Sequence, residues 1–446
     1  MTRYRVFLLL LLVSLAGGLL YGRSLWWSIA GALFALIALS IFWAWTGVNW
    51  LRVGRRSSAR VAEVGQVIEE EFRLTNLGRV PKLWGEVRDQ STLPGHYASR
   101  VVGWIGGKKW RGWRVKTVCR ERGRFELGPV AVRSGEPLGI YQMERKIDLR
   151  HVLLVLPLIT EFREFPLPAG YLPGGQALRR RTHFTTTNAS GVREYVNGDS
   201  INRIHWGLSA KRNKLVVKEF ELDPMTELFI ALDLYEGVHF DLREVLLDEG
   251  MDDAPTLTRD NPAESDVVVP VEPVSPEASK NAPADQLYPL PPSTEEYAIS
   301  LAASIAKHFL RQDRSVGLGG YAKHREIISG ERGERQLNKL METLAVLKAD
   351  GNLPFERMLR AELPQLSRGT TVIAISPSPD LHWAEAVQQA TRSGLRVVAI
   401  VLEAQTFGGT ASNADVIAAL AETGAVVRTV KCGESISEAI AQNVVR

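Results

Sequence analysis

The chain has 446 residues, a formal net charge of +4 and 45% hydrophobic residues. This length predicts two or three domains, and the hydrophobic content is sufficient to build their cores. The small excess of positive charge gives no reason to expect nucleic-acid binding. Cys119 and Cys432 lie far apart in the sequence, so the cysteines support neither a disulfide framework nor a cysteine zinc site.

Two apolar runs open the chain, at residues 6–21 and 25–48. A helix needs about 20 apolar residues to cross the ~30 Å hydrocarbon core of a bilayer. The second run meets this requirement, whereas the first is marginal and also has features of a cleaved signal peptide. Because the second run begins within a few residues of the first, we interpret residues 1–50 as a transmembrane helical hairpin.

Basic residues indicate how this hairpin is oriented. Arginines lie before the first run and after the second, whereas the connecting turn has only Arg23. The positive-inside rule then places both ends of the hairpin in the cytoplasm. We therefore expect a multi-pass protein of the cell membrane, with two helices in the lipid bilayer and with cytoplasmic soluble domains.

Residues 51–157 are rich in valine, tryptophan and arginine, and they alternate in short segments separated by turn signals. This pattern predicts a small antiparallel β-sandwich. Few of its residues are candidates for catalysis, so we interpret it as a spacer or interaction module. A basic and aromatic cluster at residues 108–114 is expected to be a solvated strand face, with contact to anionic headgroups or nucleic acid as the alternative.

The densest run of special residues lies at 191–219, within a segment that we place at 158–223. Residues 192–196 predict a strand, and Asn197 and Gly198 predict a turn. Asp199 or Ser200 then begins a helix, and a second strand follows at 214–220.

Two interpretations of this run remain open. In the first, Arg193, Asp199, Arg203, His205 and Lys211 form a polar surface that binds an anion or a partner. In the second, Asp199 caps its own helix, Arg193 is its ion-pair partner and Trp206 is a core anchor.

Many residues of this run stand at the fixed spacings of a known family. They are Gly191, Arg193, Tyr195, Gly198, Asp199, Arg203, Ile204, Trp206, Ser209, Ala210, Lys211, Leu215, Val217 and Lys218. Residues 122–129 and 136–139 follow two shorter signatures of the same family, with Glu136 and Leu138 as conservative departures. The chain therefore resembles the bacterial membrane proteins of domain-of-unknown-function family 58. The resemblance implies a von Willebrand A-like domain behind the run, and association with MoxR-type AAA+ ATPases.

Residues 224–446 have the pattern expected of that domain. An apolar run at 227–234 predicts a buried strand, and regular strand–helix alternation after residue 293 predicts an α/β doubly wound parallel sheet. Between them, residues 248–292 are rich in proline and acidic residues, which is typical of a disordered insertion. The whole chain is therefore predicted to be multidomain.

The first strand of a von Willebrand A domain usually ends in an aspartate and two serines that hold a divalent cation. Of these three residues, only Asp233 is present here. The later strand ends at Ser376, where proline replaces the usual following aspartate. We therefore expect no cofactor, with a divalent cation at Asp233 and Glu236 as the alternative.

Neither a Walker motif nor a G-x-S-x-G elbow occurs in the sequence, so we do not expect an enzyme. The favoured hypothesis is a membrane-anchored interaction or scaffold protein that works with a MoxR-type AAA+ ATPase in the assembly or maturation of other proteins. The alternative is a hydrolytic or phosphate-binding enzyme that uses Arg193, Asp199, Arg203 and His205. The predicted partner-binding residues are Arg193, Tyr195, Gly198, Asp199, Arg203, His205, Trp206, Ser209 and Lys211.

Overall fold

The computed structural model of the protein describes residues 2–137, 139–162, 165, 189–195, 204–212, 214–220, 227–243, 290–442 and 444–445. Most of the predicted insertion at 248–292 lies outside these residues. The chain divides into two compact units. The first comprises Met1–Ile159 with Met341–Leu347, and the second comprises Thr160–Leu340 with Lys348–Arg446.

The first unit begins with helices α1 (Thr2–Tyr21) and α2 (Ser24–Asn49). Both are long and apolar enough to cross a membrane, and only 17% and 11% of their apolar stretches are buried within the protein. The helices pack as a hairpin because Gly17 and Gly18 leave space for two indole rings. A Cβ atom at Gly17 would lie 2.7 Å from the Trp26 ring, and one at Gly18 would lie 3.0 Å from the Trp27 ring. The two predicted apolar helices are thus present.

Ten strands follow in the first unit and form three sheets. They are β1 (Leu51–Ser57), β2 (Val61–Glu63), β3 (Val67–Asn76), β4 (Lys82–Asp89), β5 (Arg100–Ile105), β6 (Trp110–Val118), β7 (Gly123–Leu127), β8 (Val130–Gly135), β9 (Gln142–Ile147) and β10 (His151–Leu156). The sheets β1-β3-β6 and β5-β4-β8-β9 are antiparallel throughout. The third sheet, β2-β10-β7, contains one parallel pair, β2 with β10. The antiparallel pairing predicted for this region is confirmed for every pair except β2 with β10.

Alternation along the strands explains how the two antiparallel sheets bury a common core. In β3, every second side chain from Ile68 to Asn76 is buried and those between point outward. Phe72 and Leu74 of this row pack with Val87 of β4 and Val132 of β8. A period of two residues with one buried face is the expected pattern for packed antiparallel sheets.

The last turns of α2 pack against the sheets and continue directly into β1. Ala44 and Val48 are buried, and a Cβ atom at Gly47 would lie 3.0 Å from Ser134 Oγ of β8. Lys82 is only 1% exposed, and its Nζ donates a hydrogen bond of 2.8 Å to Thr46 Oγ1. The same ammonium lies 4.8 Å from the centre of the Trp50 ring. Burial lowers the pKa of Lys82, and the aromatic face and the helix C-terminus offset part of the cost of burying a cation.

A buried cluster of four ionisable side chains lies in the core of the first unit. Arg55 Nη2 lies 2.6 Å from Glu70 Oε2, and its Nη1 lies 2.9 Å from Asp89 Oδ1. His96 Nε2 lies between the same two carboxylates, 3.1 Å from Glu70 and 3.2 Å from Asp89. The side chains of all four are at most 4% exposed. When His96 is protonated, two cations balance two anions.

The ionisation of this cluster follows from its pairing. Burial alone would lower the pKa of His96, but the nearby carboxylates of Asp89 and Glu70 outweigh burial and raise it. Burial alone would raise the pKa of Glu70 and of Asp89, but His96 and Arg55 outweigh burial and lower both. The fold therefore favours the fully ionised cluster.

The stabilisation provided by His96 should depend on pH. A raised pKa means that this stabilisation is present below the unfolded value of about 6.5 and is lost as the pH rises through the folded pKa. We expect His96→Gln to lower the free energy of unfolding of the first unit by about 3 kcal/mol at pH 6, since two buried carboxylates lose a cation. The difference from the wild type should shrink as the pH rises through the folded pKa of His96.

Hydrogen exchange of β3 in the full chain measures this effect. The control is His324→Gln, because His324 is exposed. Equal destabilisation by His96→Gln at pH 6 and at pH 9 would show that His96 is not the titrating group.

The second unit contains a seven-stranded sheet. Its strands are β13 (Leu228–Leu232), β14 (Val316–Tyr321), β15 (Arg325–Glu331), β16 (Thr371–Ser376), β17 (Arg396–Leu402), β18 (Val426–Val430) and β19 (Val444–Val445). Their order in the sheet is β15-β14-β13-β16-β17-β18-β19. The five central strands are parallel, and β15 and β19 are antiparallel edge strands. The sheet is therefore mixed, whereas the sequence predicted a parallel sheet, because the two edge strands were not recognised.

Helices alternate with these strands as the sequence predicts. They are α4 (Thr294–Arg311), α5 (Glu334–Val346), α6 (Phe355–Glu362), α7 (His382–Arg392), α8 (Ala414–Glu422) and α9 (Ile436–Gln442). On one side of the sheet, Trp383 and Val387 of α7 pack with Leu359 of α6 against Val372 and Val397. Among the parallel strands, taken in chain order, the spatial order is 2-1-3-4-5, with β13 as strand 1. In doubly wound sheets of this order the crevice for ligands lies at the carboxyl ends of strands 1 and 3.

Candidate functional site

The family-like run forms a two-stranded antiparallel hairpin in the second unit. Strand β11 (Ala189–Glu194) pairs with β12 (Val216–Phe220), with Arg193 opposite Val217. Tyr195 N–H donates to Leu215 O at 2.9 Å and extends the pairing by one residue. Helix α3 (Trp206–Arg212) lies between the strands in sequence. The strands are close to their predicted positions.

Ser209 and His205 fix α3 to the hairpin. Ser209 is buried, and its Oγ accepts a hydrogen bond of 2.9 Å from Val216 N–H. His205 N–H donates to Val216 O at 2.8 Å, and its ring Nδ1 accepts from Leu208 N–H at 3.3 Å. One ring nitrogen of His205 therefore caps the helix, and Ser209 ties the helix to β12.

Trp206 is the first residue of α3 and lies on the surface of the protein. Its side chain is 63% exposed, whereas Ile204, Val216 and Val217 are buried. The interpretation of Trp206 as a core anchor is therefore wrong. Ile204, which forms a bridge to Val217, and Ser209 are the buried residues on either side of Trp206 in the sequence, whereas Trp206 itself stays on the surface. Lys211 is also exposed.

The other predicted residues of this surface are described in part or not at all. Gly198, Asp199 and Arg203 lie outside the described residues, and for Arg193 the structure describes only the backbone. The predicted cap at Asp199 and its ion pair with Arg193 stay predictions. The convergence of Arg193, Asp199, Arg203 and His205 in one cleft also stays a prediction.

Asp233 and Ser376, the residues at which the family resemblance would place a cation, lie at the carboxyl edge of the seven-stranded sheet. Asp233 follows β13 and Ser376 ends β16, which are strands 1 and 3 of the parallel set. Ser376 Oγ donates to Asp233 Oδ2 at 2.6 Å, and Tyr235 N–H donates to Asp233 Oδ1 at 3.1 Å. Each carboxylate oxygen thus has a donor from the protein, and Asp233 is only 1% exposed.

The surroundings of Asp233 are also occupied by internal hydrogen bonds. Ser378 N–H donates to Ser376 Oγ at 2.9 Å, and His239 Nε2 lies 2.9 Å from Asp233 O. The predicted alternative ligand, Glu236, is exposed. Within the described ranges, no three His, Cys, Asp or Glu side chains are grouped so that they could hold a metal ion.

Burial determines the ionisation of Asp233. It raises the pKa of this carboxyl to about 7, although the hydrogen bonds from Ser376 and Tyr235 act in the opposite direction. A protonated carboxyl carries no negative charge to attract a divalent cation. The arrangement therefore favours a closed internal hydrogen bond between strands 1 and 3.

The stability of the second unit should depend on pH through Asp233. Because its pKa is raised from 3.8 to about 7, the associated stabilisation is present below pH ~4 and is lost as the pH rises towards 7. Asp233→Asn removes the titration, so the variant should gain stability relative to the wild type across this range. Hydrogen exchange of β13 in the full chain measures the difference.

The exposed residue Asp415 supplies the matched control. Asp415→Asn should leave the pH dependence of β13 unchanged. A cation that binds only the native state would raise its stability by mass action. Because we expect no cation to bind at Asp233, adding Mg²⁺ should stabilise neither the wild type nor Asp233→Asn. Stabilisation by Mg²⁺ that depends on Asp233 would instead establish a cation site.

Comparison with known proteins supports the assignment of the hairpin region. Residues 191–246 match the family described as "Protein of unknown function DUF58". The chain is 22% identical over 269 residues to "Uncharacterized protein YeaD" of Bacillus subtilis (strain 168). This match covers 59% of the chain and 54% of the relative, so the chain spans about half the length of that protein.

Two solved structures are similar to parts of this chain at low sequence identity. The hypothetical protein BatB from Bacteroides thetaiotaomicron is 14% identical and has a TM-score of 0.30, with coverage of 49% of this chain and 96% of that one. The CARDB domain of the PF1109 protein from Pyrococcus furiosus is 17% identical, with a TM-score of 0.18 and coverage of 24% and 87%.

Proposed function

We propose that this is a membrane-anchored interaction or scaffold protein that binds a protein partner through the surface around Trp206. The first candidate partner is a MoxR-type AAA+ ATPase, and the process would be the assembly or maturation of other proteins. In this proposal α1 and α2 cross the cell membrane, both units face the cytoplasm, and the second unit is a von Willebrand A-like domain used for recognition.

The exposed indole of Trp206 is the observation that carries the proposal. Tryptophan is enriched among the residues that dominate binding energy at protein interfaces, and such residues are effective when their backbone is already fixed. Here α3 is held by Ser209 and by His205, so Trp206 is presented on a fixed element. The basic residue Lys211 lies exposed on the same helix and adds charge for selection of the partner.

The closed state of the sheet edge supports recognition rather than catalysis. In a sheet of this strand order, a ligand would enter between the ends of β13 and β16. The hydrogen bond between Asp233 and Ser376 joins those two ends. The histidine of the alternative enzymatic site, His205, already uses its Nδ1 to cap α3.

Substitution of Trp206 tests the proposal. The wild-type full chain in detergent should bind the purified MoxR-type ATPase of the same organism, and Trp206→Ala should weaken this binding about 30-fold, as expected for loss of an interface hot spot. The stability of the variant should change by less than ~0.5 kcal/mol, because the side chain is on the surface. Biolayer interferometry gives the affinity, and hydrogen exchange of β11 and β12 reports the fold.

Tyr97→Ala is the matched control, because Tyr97 is an exposed aromatic residue of the first unit. It should bind the ATPase as the wild type does. If Trp206→Ala and Tyr97→Ala bind with equal affinity, the docking surface lies elsewhere. If the wild type does not bind the ATPase, this partner is wrong.

A further inference from the structure

The end of the β-sheets next to α2 carries a surface that the proposed function does not use. It is formed by the loop that follows β3 and by the loop between β5 and β6, and we call it the membrane-side surface. Its residues are Leu77, Arg79, Val80, Lys108, Lys109 and Trp110, all of them exposed.

The length of α2 determines where this surface lies relative to a bilayer. Its 26 residues span about 39 Å at ~1.5 Å per residue, which is ~9 Å more than the hydrocarbon core. The excess corresponds to about six residues, and the C-terminal end of α2, from Ala44 to Asn49, is the part that packs on the sheets. Because polar headgroups add about 5–8 Å on each side of the core, Trp50 lies near the headgroup level.

Hydrogen bonds hold both loops at the level of Trp50. Leu77 N–H donates to Trp50 O at 2.8 Å, and Lys108 N–H donates to Gly78 O at 2.9 Å. The buried Asn76 side chain donates through Nδ2 to Val80 O at 2.9 Å and to Ile105 O at 3.2 Å.

Two glycines allow the two loops to approach each other and the Trp50 ring closely. A Cβ atom at Gly107 would lie 2.0 Å from Arg79 O, and one at Gly78 would lie 2.2 Å from the Trp50 ring. The two loops that carry the exposed side chains are therefore held beside the end of α2.

The chemistry of this surface matches an anionic lipid–water interface. Leu77 and Trp110 are each 56% exposed, and the basic residues Arg79, Lys108 and Lys109 are exposed on the same two loops. The Arg73 guanidinium lies 4.3 Å from the centre of the Trp110 ring, at the edge of a groove of about 530 Å³ on the outer face of β1, β3 and β6. In the part of the chain that the structure describes, no carboxylate lies within ion-pair distance of Arg73, whereas Arg114 is paired with Glu71 at 2.8 Å.

We propose that the membrane-side surface binds the anionic phospholipid headgroups of the membrane that α1 and α2 cross. Trp110 and Leu77 enter the interface, and Arg79, Lys108 and Lys109 contact lipid phosphates. The first unit is then held against the bilayer by its loops as well as by its helices. This inference rests on the membrane anchoring in the proposed function.

Spin labels in the full chain test the proposal in lipid nanodiscs. One label is placed by Leu77→Cys and a second, in a separate variant, by Val67→Cys at the opposite end of β3. At ~3.3 Å per residue, these positions are about 33 Å apart along the strand, and both side chains are exposed. The background carries Cys432→Ala, and the buried Cys119 is retained because burial raises the pKa of its thiol to about 11.

Power saturation with oxygen and with a water-soluble nickel chelate gives the depth of each label. In nanodiscs that contain phosphatidylglycerol, the Leu77 label should be more accessible to oxygen than to nickel, and the Val67 label should show the reverse. In pure phosphatidylcholine, the Leu77 label should shift towards the aqueous value.

Lys109→Glu should abolish the effect of phosphatidylglycerol, whereas Lys116→Glu, a charge reversal farther along β6, should preserve it. Lys108 is not substituted because its φ of 56° is left-handed.

Three results would overturn the proposal: a Leu77 label as aqueous as the Val67 label, equal depth in both lipids, or no effect of Lys109→Glu. The Val67 label also controls for folding, because its accessibility should not change in the lysine variants. Failure of membrane anchoring is a separate result, since the chain would then elute without the nanodisc. Failure of the partner interaction would not alter the label depths.

Discussion

The direct passage of α2 into β1 is the constraint on which the architecture of the first unit depends. Only Trp50 separates the helix from the strand, and Lys82 of β4 contacts both Thr46 of α2 and Trp50. A buried ammonium without such partners would be costly, so the contact specifies one docking geometry of the helix on the sheets. That geometry sets the position of the loops after β3 and between β5 and β6.

Each unit contains a buried ionisable group whose partners are other groups of the protein. In the first, Arg55 and His96 balance Glu70 and Asp89. In the second, Asp233 is held by Ser376 and by a backbone N–H. Perturbed pKa values often mark catalytic sites, but structural networks perturb them too. Here the partners of the charged groups come from the protein itself, which favours a structural role for these groups and a functional role for the surfaces.

Much of the fold could be predicted from local patterns. Helix length and hydrophobicity predict α1 and α2, and strand–helix alternation predicts the five parallel strands with their helices. The edge strands β15 and β19 were missed because β15 is short of buried residues and β19 has only two residues. The charge cluster was missed as well, although Arg55 and Glu70 stand on the inward parity of their strands beside Val53 and Phe72. A charged residue at an inward position was the signal available.

The sequence by itself determined the elements whose information is local: the apolar helices, the alternating strands, and the spacing of the family-like run. Only the tertiary structure decided which residues meet. Asp233 and Ser376 are 143 residues apart, so their hydrogen bond depends on strand order, which a pattern of periodicity does not specify. The exposure of Trp206 likewise depends on which side of α3 packs on β12. Burial is a property of the neighbours that folding brings together, and composition alone does not fix those neighbours.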